Sequence, residues 1–334
     1  MNRKMAVTIA IAVALVLGVT ASAFLLVPRA SPAQPEPLSI SLPPSESSAL
    51  VYIADSKGYF AENGLAVTVK YYEPPAAGVR GMMDGEVDLA GSSEYAVVLN
   101  AFAGANLSII VKADDVRSVY LIARKDRGIA NISDLAGKTI GLPRGTNAEF
   151  FLGRFLTLHG LRMQDVTLAD VQPAQFAGAL ENGSVDALIC WEPYAGMIRN
   201  RMGDGVAAWP AQAGQPTYGV IVARDDWIRK NPGTAARFLK ALDAAAAYTG
   251  SDPAGSRAIV QGKANLSTAY MDAMWPENRF SLSLDQSLVL AMEDESRWMI
   301  ANNLTNATAV PDFAKYIYPD ALEKIKPGSV NIIR

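Results

Sequence analysis

Short apolar runs alternate along this chain with segments of helical period, and most runs end on a polar or glycine-containing loop. Strand-like alternation covers residues 38–42, 65–72, 87–91, 107–113 and 119–124, then 139–142, 168–171, 185–190 and 218–224. Helical spacing is expected around Leu50, Val51, Ile53 and Ala54, and over 58–64, 79–85, 94–102, 147–159 and 173–182. From Asp225 onward the pattern is mostly helical, including 232–250 and 284–302. Strands that alternate with helices exclude all-helical and all-strand folds and imply an open α/β sheet in each of two units. The second unit is expected to begin near Asp126, and a length of 334 residues suits two domains.

The N-terminus begins Met-Asn-Arg-Lys and continues as an apolar run from Met5 to Val27. Basic charge followed by an apolar stretch is an export signal. The run is also long enough to serve as a membrane anchor, for which about 20 residues suffice. Cleavage after Ala23 or Ala33 and retention as an anchor therefore both remain open. No cysteine lies nearby to take a lipid. Residues 28–37 are rich in Pro, Ala and Ser and read as a tether, so 1–37 is set apart as signal peptide or anchor plus tether. The expected location is extracytoplasmic, in the periplasm or at the cell surface.

Counted charge is -3, and removal of the segment ending at Ala33 takes away three basic residues, Arg3, Lys4 and Arg29, to leave -6. An acidic body without a basic stripe argues against a nucleic-acid partner. One cysteine, Cys190, rules out an internal disulfide, and with the single histidine, His159, it cannot supply a Cys/His zinc site. A serine triad would have only His159 as its base, and there is no Gly-x-Ser-x-Gly elbow. His159 precedes Gly160 at a helix end and Cys190 closes an apolar strand, both ordinary structural places. No catalytic residue, metal or cofactor is expected.

Five segments occur in a telling order: IADSKGYFAENGLAVTV from Ile53, GMMDGEVDLAGSS from Gly81, ISDLAGKTIGLPRGT from Ile132, LENGSVDALICWEPY from Leu180 and YGVIVARDDWIRKNP from Tyr218. Together they resemble the periplasmic binding proteins of the nitrate, sulfonate, taurine and thiamine-pyrimidine group, over residues 38 to about 246. The resemblance implies a two-lobed clamp of two open α/β sheets joined by two hinge crossings, near Arg124 and Val222. Lobe one would be 38–122 plus 224–334, and lobe two 123–223. It also implies a monomer that captures a small polar nitrogen- or sulfur-containing molecule and hands it to an ABC permease with its ATPase subunit. If the N-terminal segment is retained, the membrane becomes a partner too, and an anchored ligand-sensing ectodomain is the alternative. One branch of the superfamily resembles a pyrimidine synthase with a cysteine-rich motif, which this chain lacks.

Ligands of open α/β sheets sit beyond the carboxyl ends of strands, where loops enter helices. The residues expected there are Ser45, Glu46 and Ser47; Ser92, Ser93 and Glu94; Arg144, Thr146 and Asn147; Trp191 and Glu192; and Tyr218 at the return crossing. Arg144-Gly145-Thr146-Asn147 opens a helix whose free N–H groups suit an anion, although Thr146 or Asn147 could simply cap it. Trp191, in the Trp-Glu-Pro element that matches the family, offers a stacking face, while Glu192 can accept from an amine or from backbone. Glu46 and Glu94, if both face the cleft, disfavour a bare dianion.

Overall fold

The computed structural model describes residues 34–72, 75–212 and 214–333. The apolar run expected to act as signal or anchor lies outside them. Among the described residues no helix is long and apolar enough to cross a membrane.

Two mixed sheets carry the fold. The larger contains β1 (Glu36–Leu42), β2 (Leu65–Tyr71), β3 (Leu89–Ser93) and β4 (Leu107–Val116). The smaller contains β5 (Val119–Arg124), β6 (Thr139–Leu142), β7 (Thr167–Asp170), β8 (Ala187–Trp191) and β9 (Val206–Pro210). The chain then returns to the larger sheet as β10 (Thr217–Arg224), β11 (Asn278–Asp285) and β12 (Val330–Asn331). Strand order is β12-β11-β4-β10-β3-β1-β2 in the first sheet and β7-β6-β8-β5-β9 in the second. β1 runs parallel to β2 and β3, whereas β10 is antiparallel to β3 and β4 and binds the returning chain between them. In the second sheet β6 is parallel to β7 and β8, and β5 is antiparallel to β8 and β9.

Helices cover these sheets, so central strands are buried on both faces and read as apolar runs rather than alternations. β4 shows this: Leu107, Ile109, Ile110 and Val111 are all at most 1% exposed. The principal core extends from Leu38 and Ile40 through Ile53, Val98 and Phe238 to Leu322. A satellite core under the second sheet gathers Ile122, Phe176, Leu180, Leu188 and Cys190.

Two expectations are corrected. Arg124 and Val222 are not crossing points but lie inside β5 and β10, because β5 pairs with β8 and β9 while β10 pairs with β3 and β4. The chain passes between sheets at 117–118 and at 211–216. The region after Asp225 also contains a strand, β11, antiparallel to β4, where helix was expected from 284. Its inward side chains Leu282 and Leu284 are 2% and 0% exposed. The helix starts only at Gln286, capped by Asp285, which accepts from the Leu288 N–H at 3.4 Å.

The two crossings are stitched together by one side chain. Gln212 Oε1 accepts from the N–H groups of Ser118 (2.6 Å) and Val119 (2.9 Å). Its Nε2 donates to the Val116 carbonyl (3.3 Å) and to Thr217 Oγ1 (3.1 Å). A second contact between the sheets' helices lies elsewhere. The helix Asn147–Leu158 rests on the helix Gln286–Ala301 through Phe150 against Trp298, with ring centres 5.7 Å apart, and Arg154 paired with Asp294 at 2.6 Å. Gly153 permits this approach, since a Cβ there would stand 2.5 Å from the Trp298 indole nitrogen.

Candidate functional site

Four strands end in loops that lead into helices around one cavity. After β1 come Pro43, Pro44 and Ser45, then a 3-10 turn Glu46–Ser48 that runs into the helix Ala49–Ser56. β3 ends on Ser92 and Ser93, the latter in extended conformation as N-cap of the helix Glu94–Phe102. β6 gives way to 143–146 and the helix Asn147–Leu158, with Gly145 at φ +69°, a left-handed conformation that glycine adopts without strain. β8 ends on Trp191, and a cis Glu192-Pro193 bond turns the chain into the helix Tyr194–Met202.

The cavity has a volume of about 300 Å³ and takes its walls from both sheets. Nine of the twelve expected site residues line it: Ser45, Glu46, Ser47, Ser92, Ser93, Thr146, Asn147, Trp191 and Glu192. Thr146 Oγ1 donates to the Pro143 carbonyl at 2.8 Å, so its hydroxyl hydrogen is committed to its own loop. Asn147 Nδ2 donates across the cavity floor to Thr217 Oγ1 at 3.0 Å and thereby joins the second sheet's loop to β10. Trp191 is partly buried and is held edge-on by Phe176 and Tyr194, at ring-centre distances of 6.1 and 6.3 Å.

The three others are placed elsewhere. Glu94 is fully buried behind Ser93, and its Oε2 accepts from the Tyr218 N–H at 3.0 Å, because the carboxyl turns under β10 rather than outward. Burial raises it to about 8, against the opposing pull of the Glu94, Tyr218 and Tyr95 N–H groups. Its close neighbour Glu295, on the helix Gln286–Ala301, is held well above the usual range by burial and by the Glu94 charge. Arg144 turns away to pair with Glu149 at 2.6 Å. Tyr218 lies between the lining residues Thr217 and Gly219, so strand alternation carries it to the opposite face, where Lys112 Nζ sits 4.7 Å from its ring centre.

The condition that Glu46 and Glu94 both face the cleft is therefore not met, since only Glu46 lines it. Glu46 lines the cavity, but it is only 4% exposed and accepts from the Tyr270 hydroxyl. Burial raises its carboxyl above the usual range, with Tyr270 acting the other way. Glu192 accepts from the Gly196 N–H at 2.7 Å and from Arg199. Behind this wall Asp114 is held well above the usual range by burial, with the Glu46 charge adding to it.

Sequence reasoning missed the apolar wall. Leu42, Val51, Tyr95, Leu99, Val116 and Ile221 all contribute to it. In sequence they look like core residues, and only their positions next to loop ends distinguish them. Thr217 and Tyr194 were also missed as lining residues, although Tyr194 directly follows Glu192-Pro193.

Comparison with known proteins places this geometry. The family model described as "NMT1/THI5 like" matches residues 45–256. A putative aliphatic sulfonates-binding protein of Bacillus subtilis (strain 168) is 25% identical over 201 residues, 59% of this chain and 60% of the relative. The taurine-binding periplasmic protein of Escherichia coli (strain K12) is 27% identical over 59% of this chain and 62% of its own length. The matches thus span about three fifths of these relatives. The alkanesulfonate-binding protein SsuA of Xanthomonas axonopodis pv. citri, solved bound to MOPS, superposes with a TM-score of 0.73 at 19% identity, over 86% of this chain and all of that one. The desulfurization enzyme DSZB shares the fold as well, with a TM-score of 0.66 at 18% identity over 87% of this chain and 98% of that one. The two sheets with a cavity between them are the fold of periplasmic binding proteins, and the chain belongs to the NMT1/THI5-like family.

Proposed function

We propose that this chain is the extracytoplasmic solute-binding receptor of an ABC-type importer, a binder rather than an enzyme. On this reading it captures a small nitrogen- or sulfur-containing molecule between its two sheets and delivers it to a permease. The observation that carries the proposal is the cavity of about 300 Å³ built from four strand-end loops of two sheets. That volume lies at the small end of ligand sites. Relatives named for sulfonate and taurine binding support the receptor role. The likeness to DSZB extends to the fold alone. Cys190 is 0% exposed, and burial pushes its thiol up, away from the reactive thiolate. His159 bonds through Nδ1 to the Phe155 carbonyl at 2.7 Å, and neither residue lines the cavity. The lobes are read as 36–116 with 217–333 and 119–210, joined by a hinge at the two crossings.

The test is a thermal-shift screen of small polar solutes on the body from Gln34 onward, followed by titration of any hit into the double variant Trp191→Ala/Thr146→Ala. A ligand at about 100 times its dissociation constant adds roughly 2.7 kcal/mol of stability, a shift of several degrees. The double variant is expected to weaken binding at least about tenfold, since it removes an aromatic contact worth about 1 kcal/mol and a polar wall. Unchanged affinity in a folded double variant would remove Trp191 and Thr146 from the site.

A further inference from the structure

Anion sites in proteins are built from free cations and from helix N-termini whose N–H groups are vacant. Four helices begin at this cavity, and at each start a glutamate carboxyl is already buried. Glu46, Glu94, Glu149 and Glu192 are 4%, 0%, 3% and 5% exposed. At the two helices of the second sheet these carboxylates take the backbone donors themselves. Glu149 Oε2 accepts from the Gly145 N–H at 3.3 Å, and Glu192 Oε2 from the Gly196 N–H at 2.7 Å. The same two glutamates pair with the nearby arginines, Glu149 with Arg144 and Glu192 with Arg199. In the first sheet Lys112 is held between Asp115 (3.0 Å) and Asp285 (2.8 Å). Among the described residues no Lys, Arg or His lines the cavity.

The two acidic lining residues are equally committed, Glu46 to the Tyr270 hydroxyl and Glu192 to Arg199 and Gly196. A charged ligand would therefore meet no opposite charge free to pair with it, and burial of an unpaired charge is strongly unfavourable. What remains for a ligand is an apolar wall, an aromatic ring at Trp191 and a rim of serine and threonine oxygens.

We propose that the cavity takes an uncharged ligand with a largely apolar body and a few hydrogen-bonding heteroatoms, and that Glu149 and Glu192 keep anions out by occupying the cations and N–H groups an oxyanion would use. The proposal rests on the receptor reading above and narrows its ligand to one charge class.

Matched pairs of nearly equal shape test it: benzenesulfonamide against benzenesulfonate, and benzamide against benzoate, each titrated calorimetrically into the native chain. The neutral member is expected to bind at least about tenfold more tightly in each pair. In Glu149→Gln the ratio should narrow, because Arg144 loses its carboxylate partner and the Gly145 N–H is held only by a neutral amide oxygen that an anion can displace. Glu192→Gln, which releases Arg199, is the second variant should the first fold poorly. Tighter binding of the anions by the native chain would overturn this inference and leave the receptor reading standing. A ratio unchanged in both variants would overturn the role given to the glutamates. No binding of any member at concentrations up to about 10 mM, where even a contact of roughly 3 kcal/mol registers, would overturn the inference, while the receptor reading stands or falls with the solute screen above.

Discussion

Glu295→Gln is expected to stabilise the protein at pH 8 and to change it little at pH 4.5. Glu94 and Glu295 are both 0% exposed and lie close together, on the helices Glu94–Phe102 and Gln286–Ala301. Two carboxylates cannot share such a place, so the folded protein holds protons there that the unfolded chain has released. Glu94 is raised to about 8, and Glu295 is raised well above its ordinary 4.5. A carboxyl with a raised folded pKa contributes stability below the unfolded value and loses it as pH climbs through the folded one. Stability should therefore fall between about pH 4.5 and pH 8. At 1.36 kcal/mol per pH unit, a Glu94 carboxyl raised to about 8 costs up to about 3 kcal/mol at pH 7. Glutamine keeps the shape, needs no proton, and can donate to Glu94. Urea denaturation at pH 4.5, 6 and 8 checks this. Parallel pH profiles for variant and parent would mean that Glu295 is not the group that holds the proton.

Gly153→Val is expected to destabilise the fold by about 3 kcal/mol. Overpacking of a core contact typically costs about 1–3 kcal/mol, and here the obstacle is a bulky indole. The valine Cβ would lie 2.5 to 2.7 Å from three Trp298 ring atoms. Trp298 is itself fixed by Phe150 and by the neighbouring Arg154–Asp294 pair. The second substitution Trp298→Ala should recover part of the loss, because residues in contact couple by about 0.5–3 kcal/mol. Additive effects in that double-variant cycle would show that the helix pair does not meet through Gly153.

Much of this fold was legible because its strands are short apolar runs bounded by loops. β5 and β6 fall where the alternation put them, and the helices start at Glu94 and Asn147 as expected, although neither Ser93 nor Thr146 makes a side-chain capping bond. β11 was hidden because Leu282 and Leu284 precede a helix of similar apolarity, and only pairing with β4 decides between the two. β9 was hidden too, as a five-residue edge strand ending on Pro210, where proline is tolerated because its missing N–H faces no partner strand. Sheet membership, and hence the crossings, could not be read from β5 itself, since nothing in VYLIAR states which sheet it joins.

In the site, the polar loops were legible and the orientations were not. A glutamate in a first turn can face the ligand or fold back, and Glu94 folds back because the Tyr218 N–H offers a partner that the sequence places 124 residues away. Arg144 is similar, since Glu149 intercepts it five residues on. The apolar lining could not be told from core, because both are apolar residues beside apolar neighbours, and only the empty space between them differs.

The buried acids also change how the molecule behaves as a colloid. Burial favours the protonated forms of Glu94, Asp114 and Glu295. The folded chain is thus less negative than residue counting gives. A folded molecule of this sequence should focus at a higher pH than the 5.4 obtained by counting residues, and in urea the band should move toward the acid side as the protons leave. Less net charge means weaker repulsion between copies, so solubility should fall around that raised focusing pH rather than around the counted one.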